Sequence, residues 1–183
     1  MNAILDALII GAGPAGLMTA LAAADAGCAA IAVLEKMPAP GRKLLASGSS
    51  RCNLTHAGGM DDFLTHYGDS SRFVKPCLLS YTNAMLCDFF TTHNVPLTEK
   101  ENGKIFPASE RSADILRALL DACRERGIII HTDAPARDIV PDENGFAVHG
   151  AAQTFSARSV CIATGGITYP ATGSTGDGYA LAR

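Results

Sequence analysis

The sequence has no C-x-x-C pair, no run of lysine or arginine, no G-x-S-x-G turn and no internal repeat. Each absence removes a class of function. Without C-x-x-C there is no dithiol-disulfide reductase centre in this stretch. Without a basic run or stripe, and at a formal net charge of -3, a nucleic-acid partner has little support. The lack of a basic amphipathic stretch argues equally against a membrane surface. His56, His66, His93, His131 and His149 do not fall at metal-ligand spacing, so no metal site is expected. The missing nucleophile elbow removes the commonest hydrolase signature.

What is present is an ordinary globular composition, 48% hydrophobic and 18% charged over 183 residues. That length suffices for one domain with a substantial core. The six cysteines are Cys28, Cys52, Cys77, Cys87, Cys123 and Cys161. A chain this long and apolar needs no disulfide staples, so scattered free thiols of a cytoplasmic protein are expected. Residues 7–24 carry no charged side chain. Their length would suit a membrane span, but Gly11, Gly13, Pro14 and Gly16 interrupt the run, and no basic segment precedes it.

The same stretch reads better as strand, turn and helix. Residues 3–10 form an apolar strand, and Pro14–Ala26 a helix that opens on proline and stops at Gly27. Residues 30–34 form a second buried strand ending at Glu35. Such a unit needs parallel strands and a right-handed crossover. Between them lies Gly11-Ala12-Gly13-Pro14-Ala15-Gly16. In this pattern the first glycine permits the turn, the second lets phosphates approach the backbone, and the third lets the helix pack on the strand. Unpaired N–H groups at the helix start attract anions. Glu35 stands where a carboxylate accepts hydrogen bonds from an unphosphorylated adenosine ribose, which disfavours NADP. The motif by itself leaves NAD and FAD open.

Further on, residues 37–59 read as an extended Gly-, Ser- and Pro-rich functional loop. Residues 61–94 read as short helices forming a helical insertion at about 60–95. Leu78, Met85, Leu86, Phe89 and Phe90 supply an apolar stripe for core or lid packing. Residues 96–107 suggest a hairpin about Asn102-Gly103. Residues 112–126 suggest an amphipathic helix with Ile115, Leu116, Leu119, Leu120 and Cys123 inward. A strand is expected at 128–131. Three short strands follow at 136–140, 145–149 and 153–156, with Asn144-Gly145 as a turn, and a last strand at 159–163.

The block from Gly41 to Thr55, GRKLLASGSSRCNLT, is followed by Lys104-Ile105-Phe106-Pro107, Ala163-Thr164-Gly165-Gly166 and the Tyr169–Tyr179 segment YPATGSTGDGY. In this order, over essentially the whole chain, they resemble the bacterial aminoacetone oxidase family, the BaiN/YhiN-like FAD-dependent oxidoreductases. The resemblance implies an α/β, Rossmann-like FAD-binding fold of the two-dinucleotide-binding-domain type, a parallel sheet with a three-strand β-meander. It implies that residues 1–183 are the N-terminal part of the FAD-binding domain, with the final strand and the substrate or cap domain absent from this stretch. The strand at 159–163 is then expected at an open sheet edge.

The resemblance also implies site roles. Gly11, Gly13, Pro14, Ala15, Gly16, Glu35 and Lys36 are expected to hold the ADP half of FAD. Arg42, Lys43, Ser47, Gly48, Arg51, Cys52 and Asn53 are expected to wrap the pyrophosphate and approach the flavin. Ala136 is placed beside adenine, and Ala163, Thr164, Gly165 and Gly166 near the cofactor. Asp177, in a T-G-D-G segment like that of fumarate-reductase flavoproteins, is expected to touch FAD. Arg42 and Lys43 suit this chemistry because they can offset phosphate charge. Ser50 departs from the family, which more often has glycine there, and should slightly narrow the loop. Cys52 reads as a packing residue rather than a redox thiol, and no residue stands out as a general base.

The expected function is two-electron oxidation or reduction of a small organic substrate. NAD(P)H or another electron donor or acceptor is the partner, and nucleic acid and membrane are not. The alternatives are a non-catalytic flavin-binding module and a tRNA-modifying flavoprotein.

Overall fold

The computed structural model describes residues 4–143 and 145–183. Ala3 of the expected first strand and Asn144 of the expected turn lie outside them. The chain divides into two compact units. One comprises the residues up to Leu44 together with Leu119–Arg183; the other is Leu45–Ala118.

The first unit begins with β1 (Leu5–Ile10), α1 (Pro14–Asp25) and β2 (Ile31–Leu34). α1 opens on Pro14, whose missing N–H costs nothing at a helix start. It is followed by Gly27, whose φ of +97° suits only glycine. Gly16, Leu17, Ala20 and Leu21 form its buried face. β2 is buried along its whole length, as expected of a strand covered on both faces.

The second unit is inserted in the chain after β2. Inside the segment expected to be irregular loop lie a helical turn, α2 (Arg42–Ala46), which straddles the unit boundary, and a short strand, β3 (Thr55–His56). α3 (Met60–Thr65), α4 (Ser71–Ser80) and α5 (Asn83–Thr92) follow. Of the apolar stripe, Phe90 is fully buried, with Phe89 edge-on to it at 5.1 Å between ring centroids, whereas Met85 is exposed. β4 (Leu97–Glu99) and β5 (Lys104–Pro107) make the expected hairpin, and β3 adds to its far side. α6 (Ser112–Glu125) runs across the boundary into the first unit. It buries Ile115, Leu116, Leu119 and Cys123, with Leu120 half-buried.

The first unit then closes with β6 (Ile129–His131), β7 (Ala136–Asp142), β8 (Gly145–Gly150), β9 (Thr154–Ile162) and α7 (Asp177–Leu181). The strand order is β6-β2-β1-β9-β8-β7. The first four strands are parallel and the last two antiparallel to their neighbours. This is the parallel sheet with meander that the resemblance implied. Leu8, Ile10, Ala32, Leu34, Val148 and Ala157 form one face of its core. Burying each large side chain among them contributes about 1.5–3 kcal/mol.

One expectation is corrected here and one holds. The strands expected at 153–156 and 159–163 are one continuous strand, β9, which pairs first with β8 and then with β1. The open edge expected at 159–163 is present along Ser159–Ile162: β9 lies between β1 and β8 in the sheet order, but among the described residues only its beginning has a partner on the β8 side. Its first half pairs with β8, while its residues from Ala157 to Ile162 pair with β1. Beyond Ala157, among the described residues, no strand pairs with its β8-facing side.

Candidate functional site

The first unit contains a cavity of about 220 Å³ at the carboxyl ends of β1, β2 and β9. The fold places it there because consecutive parallel strands all deliver their loops to that end. The Gly11–Gly16 turn forms one wall. Gly11 has φ +107°, and a Cβ on it would lie 2.5 Å from the Ala163 carbonyl oxygen. A Cβ on Gly16 would lie 1.8 Å from the Gly11 oxygen, so that glycine sets how closely α1 packs on β1. Gly13 is the opposite case: a Cβ there would meet nothing within 4 Å. It lines the cavity, and its open side is the space a ligand would take. It is also the N-cap of α1, and no side chain caps that end. The helix start therefore offers uncapped N–H groups and a positive dipole end to the cavity.

The wall opposite in sequence comes from the end of β2. The Glu35 carboxylate accepts from the Ala12 N–H at 3.0 Å through Oε2 and from the Met37 N–H at 2.8 Å through Oε1. Each carboxylate oxygen keeps a further acceptor position for a ligand hydroxyl. Lys36 does not reach into the cavity as a free cation. Its ammonium donates to Asp177 Oδ2 at 2.6 Å and to Thr175 Oγ1 at 2.5 Å. Thr175 in turn donates to Asp177 Oδ1 at 2.5 Å. Partial burial works against ionisation of Asp177, but the bonds from Lys36 and Thr175 outweigh it and hold its carboxyl below the ordinary value. Among the described residues, Arg42 lines the cavity with no acidic partner, and Lys43 lines it with a long contact, 3.4 Å, to Thr168.

Thirteen of the residues singled out from the sequence line this cavity: Gly11, Gly13, Pro14, Ala15, Glu35, Lys36, Arg42, Lys43, Ala136, Ala163, Thr164, Gly165 and Asp177. Gly16 and Gly166 do not. Sequence reasoning assigned no site role to ten further lining residues, Ala39, Ala134, Gly173 and Ser174 among them. Gly173 and Ser174 sat within the quoted YPATGSTGDGY segment, whereas Ala39 and Ala134 carried no signal.

Ser47, Gly48, Arg51, Cys52 and Asn53 belong to the second unit. There Gly48, Ser49 and Ser50 are all left-handed, with φ of 55°, 57° and 66°, and Cys52 has φ 60°. A Cβ on Gly48 would lie 2.7 Å from the Asn53 nitrogen. The Arg51 guanidinium lies over the Phe106 ring at 5.4 Å, and its Nε donates to the Gly48 oxygen. Cys52 is buried, and burial pushes its thiol up, with the Ser47 side chain opposing. It is a neutral packing thiol rather than a thiolate nucleophile. All six cysteines are free, and among the described residues no cluster of His, Cys, Asp or Glu could hold a metal ion. No helix of the described residues is long and apolar enough to cross a membrane.

The model of the HI0933-like protein Rossmann domain matches residues 5–183. The chain is 33% identical over 176 residues to the 3-dehydro-bile acid delta(4,6)-reductase of Clostridium scindens, covering 96% of this chain and 42% of that protein. It is 29% identical over 178 residues to the ribosomal RNA dihydrouridine synthase of Escherichia coli, covering 97% of this chain and 44% of that protein. The chain thus spans less than half the length of these relatives. Among solved structures, the 3-ketosteroid-delta4-(5alpha)-dehydrogenase of Rhodococcus jostii matches in fold, with a TM-score of 0.61 at 15% identity over 92% of this chain and 47% of that one. Sequence match, sheet order and the Gly11–Gly16 turn agree on an FAD-binding Rossmann fold, and the chain belongs to the HI0933-like flavoprotein family.

Proposed function

We propose that this chain is the FAD-binding portion of an oxidoreductase that transfers two electrons to or from a small organic substrate. The observation that carries the reading is the open side of Gly13, at the uncapped start of α1, facing a cavity that also presents Arg42 and Lys43. That combination suits a pyrophosphate: backbone donors on one side, cationic side chains on the other. The cavity is smaller than the roughly 300–1,000 Å³ of pockets that enclose a whole ligand. It suits the ADP half of the cofactor, with Glu35 accepting from the adenosine ribose. Bound FAD supplies hydride transfer, and the protein supplies position and charge.

The names of the two relatives favour reduction of a carbon–carbon double bond, since a delta(4,6)-reductase and a dihydrouridine synthase both add two hydrogens across one. In this reading a hydride and a proton are delivered to the two carbons of the substrate bond. A conjugated enone of small size is the preferred substrate class. Uridine in RNA is the second reading, favoured by the match to the ribosomal RNA enzyme; the net charge of -3 counts against it.

Titration of the chain with FAD, followed by displacement with ADP, tests the cofactor reading. Saturable FAD binding that ADP displaces competitively is expected; FAD binding indifferent to ADP overturns it. Anaerobic mixing of the flavin-reduced protein with an unsaturated ketosteroid or with a ribosomal RNA transcript separates the two substrate readings by which one restores the oxidised flavin spectrum.

A further inference from the structure

The residue next to the ribose-binding carboxylate is a lysine, which ought to attract a phosphate on that ribose. A dinucleotide site that accepts a 2′-phosphate usually does so with a free cation near the end of its second strand. Lys36 is in that place and lines the cavity, yet its charge is already committed. Two of the three ammonium protons go to Asp177 Oδ2 and Thr175 Oγ1. The side chains of Lys36 and Asp177 are 24% and 35% exposed, so water screens the pair only in part.

The segment that carries these acceptors is itself fixed. A Cβ on Gly173 would lie 2.9 Å from Met37 Cγ, and Ser174 is buried with its hydroxyl beside Gly165. A Cβ on Gly178 would lie 2.6 Å from Thr164 Oγ1. The strap from Gly173 to Gly178 is therefore pressed onto the ends of β2 and β9, and Asp177 and Thr175 cannot drift from Lys36 without unpacking it. Glu35 remains the group with open acceptor positions on this wall.

Resting on the reading of the cavity as an ADP site, we infer that Asp177 and Thr175 are specificity-determining residues: they withhold Lys36 from the ligand and so exclude a 2′-phosphorylated ribose. A 2′-phosphate entering here meets the Glu35 carboxylate while the ammonium next to it, that of Lys36, is already engaged. Exclusion is then built from an engaged cation as well as from the acidic residue, a device of repulsion rather than of added attraction.

The test compares ADP-ribose with ADP-ribose 2′-phosphate, which differ only in that group, by calorimetric titration of the 183-residue chain. The wild-type chain should prefer ADP-ribose by about tenfold or more, the scale of one lost charged hydrogen bond. Asp177→Asn should narrow that preference about tenfold by gaining affinity for the 2′-phosphate. Adding Lys36→Gln to Asp177→Asn should erase the gain. Thr175→Val, which removes one acceptor and leaves the ion pair, should shift the ratio in the same direction by less, and serves if Asp177→Asn does not fold. ADP-ribose binding with a ratio unchanged by Asp177→Asn and Thr175→Val overturns the inference alone. Binding of neither ligand by the wild-type chain overturns the cavity reading and the inference with it.

Discussion

The carboxylate of Glu35 holds the backbone of Ala12, 23 residues earlier in the chain, through a 3.0 Å hydrogen bond from the Ala12 N–H. The other oxygen holds Met37. Glu35 therefore fixes the shape of the glycine turn before any ligand arrives. Without the carboxylate, two backbone donors lose a charged acceptor. Glu35→Ala is expected to lower the unfolding free energy of the ligand-free chain by about 1.5–3 kcal/mol, the value of a hydrogen bond to a charged group. Chemical denaturation without FAD checks this. A residue that served only to contact the ribose would leave ligand-free stability untouched.

Gly13 and Gly16 should separate folding from binding. A valine at Gly13 points its side chain into open space, so it should cost under about 1 kcal/mol of stability, as for an ordinary N-cap exchange. It occupies the space assigned to the pyrophosphate, and FAD affinity should fall by about two orders of magnitude or more, as donors and phosphate are forced apart. Gly16→Ala places a Cβ 1.8 Å from a backbone oxygen. The strand and helix must move apart, with a cost of about 3 kcal/mol or more. Paired thermal melts and FAD titrations of the two variants read both quantities; equal loss of stability would defeat the separation.

Much of this was legible in the residues, for a physical reason. The β1-α1-β2 unit and its turn are specified locally, by apolar runs, by proline at a helix start and by glycines with positive φ. The continuity of β9 was not legible, because a run such as Thr154–Ile162 is held straight by partners on β1 and β8 that sequence spacing does not reveal. The pairing of Lys36 with Asp177 was equally hidden. The two are 141 residues apart, and each taken alone looked like a cofactor contact. Conversely, α2 was missed because a five-residue helix leaves too short a pattern to separate from a Gly- and Ser-rich loop.

Ser50 carries a cost that its position alone did not suggest. The sequence pointed to a narrowed loop; the structure adds that Ser50 has φ +66° and follows two other left-handed residues, Gly48 and Ser49. A non-glycine residue in that conformation costs roughly 1–2 kcal/mol, and glycine pays back part of it in unfolded-state entropy. Ser50→Gly should therefore stabilise the chain by about 0.5–1 kcal/mol. A urea denaturation midpoint shifted upward, with an unchanged slope, is the expected result. Ser50→Val should move it the other way, because a β-branched side chain is a worse fit to that backbone.

Asp114 gives the chain a defined response to acid. The carboxylate accepts from Ser109 Oγ at 2.6 Å and pairs with Arg117 at 2.8 Å and Arg111 at 3.3 Å. The Ser109 bond, with smaller help from the two arginines and against some loss of hydration, holds its carboxyl below the ordinary value of 3.8. A carboxyl lowered on folding stabilises the native state above the unfolded value. That stability is lost as pH falls through the lower, folded value. Asp177 is lowered as well and adds in the same direction. Unfolding free energy should then be level from neutral pH down to about 5 and fall below about 4, where the unfolded chain takes up protons first. Asp114→Asn should be less stable than the wild type at pH 7 and should approach it once the pH has fallen through the lowered folded value, because the charge it lacks is then gone from both. Denaturant titrations of the two proteins at matched ionic strength measure this convergence. A difference that stays constant down to that pH would mean that Asp114 stabilises by shape and hydrogen bonding, independent of its charge.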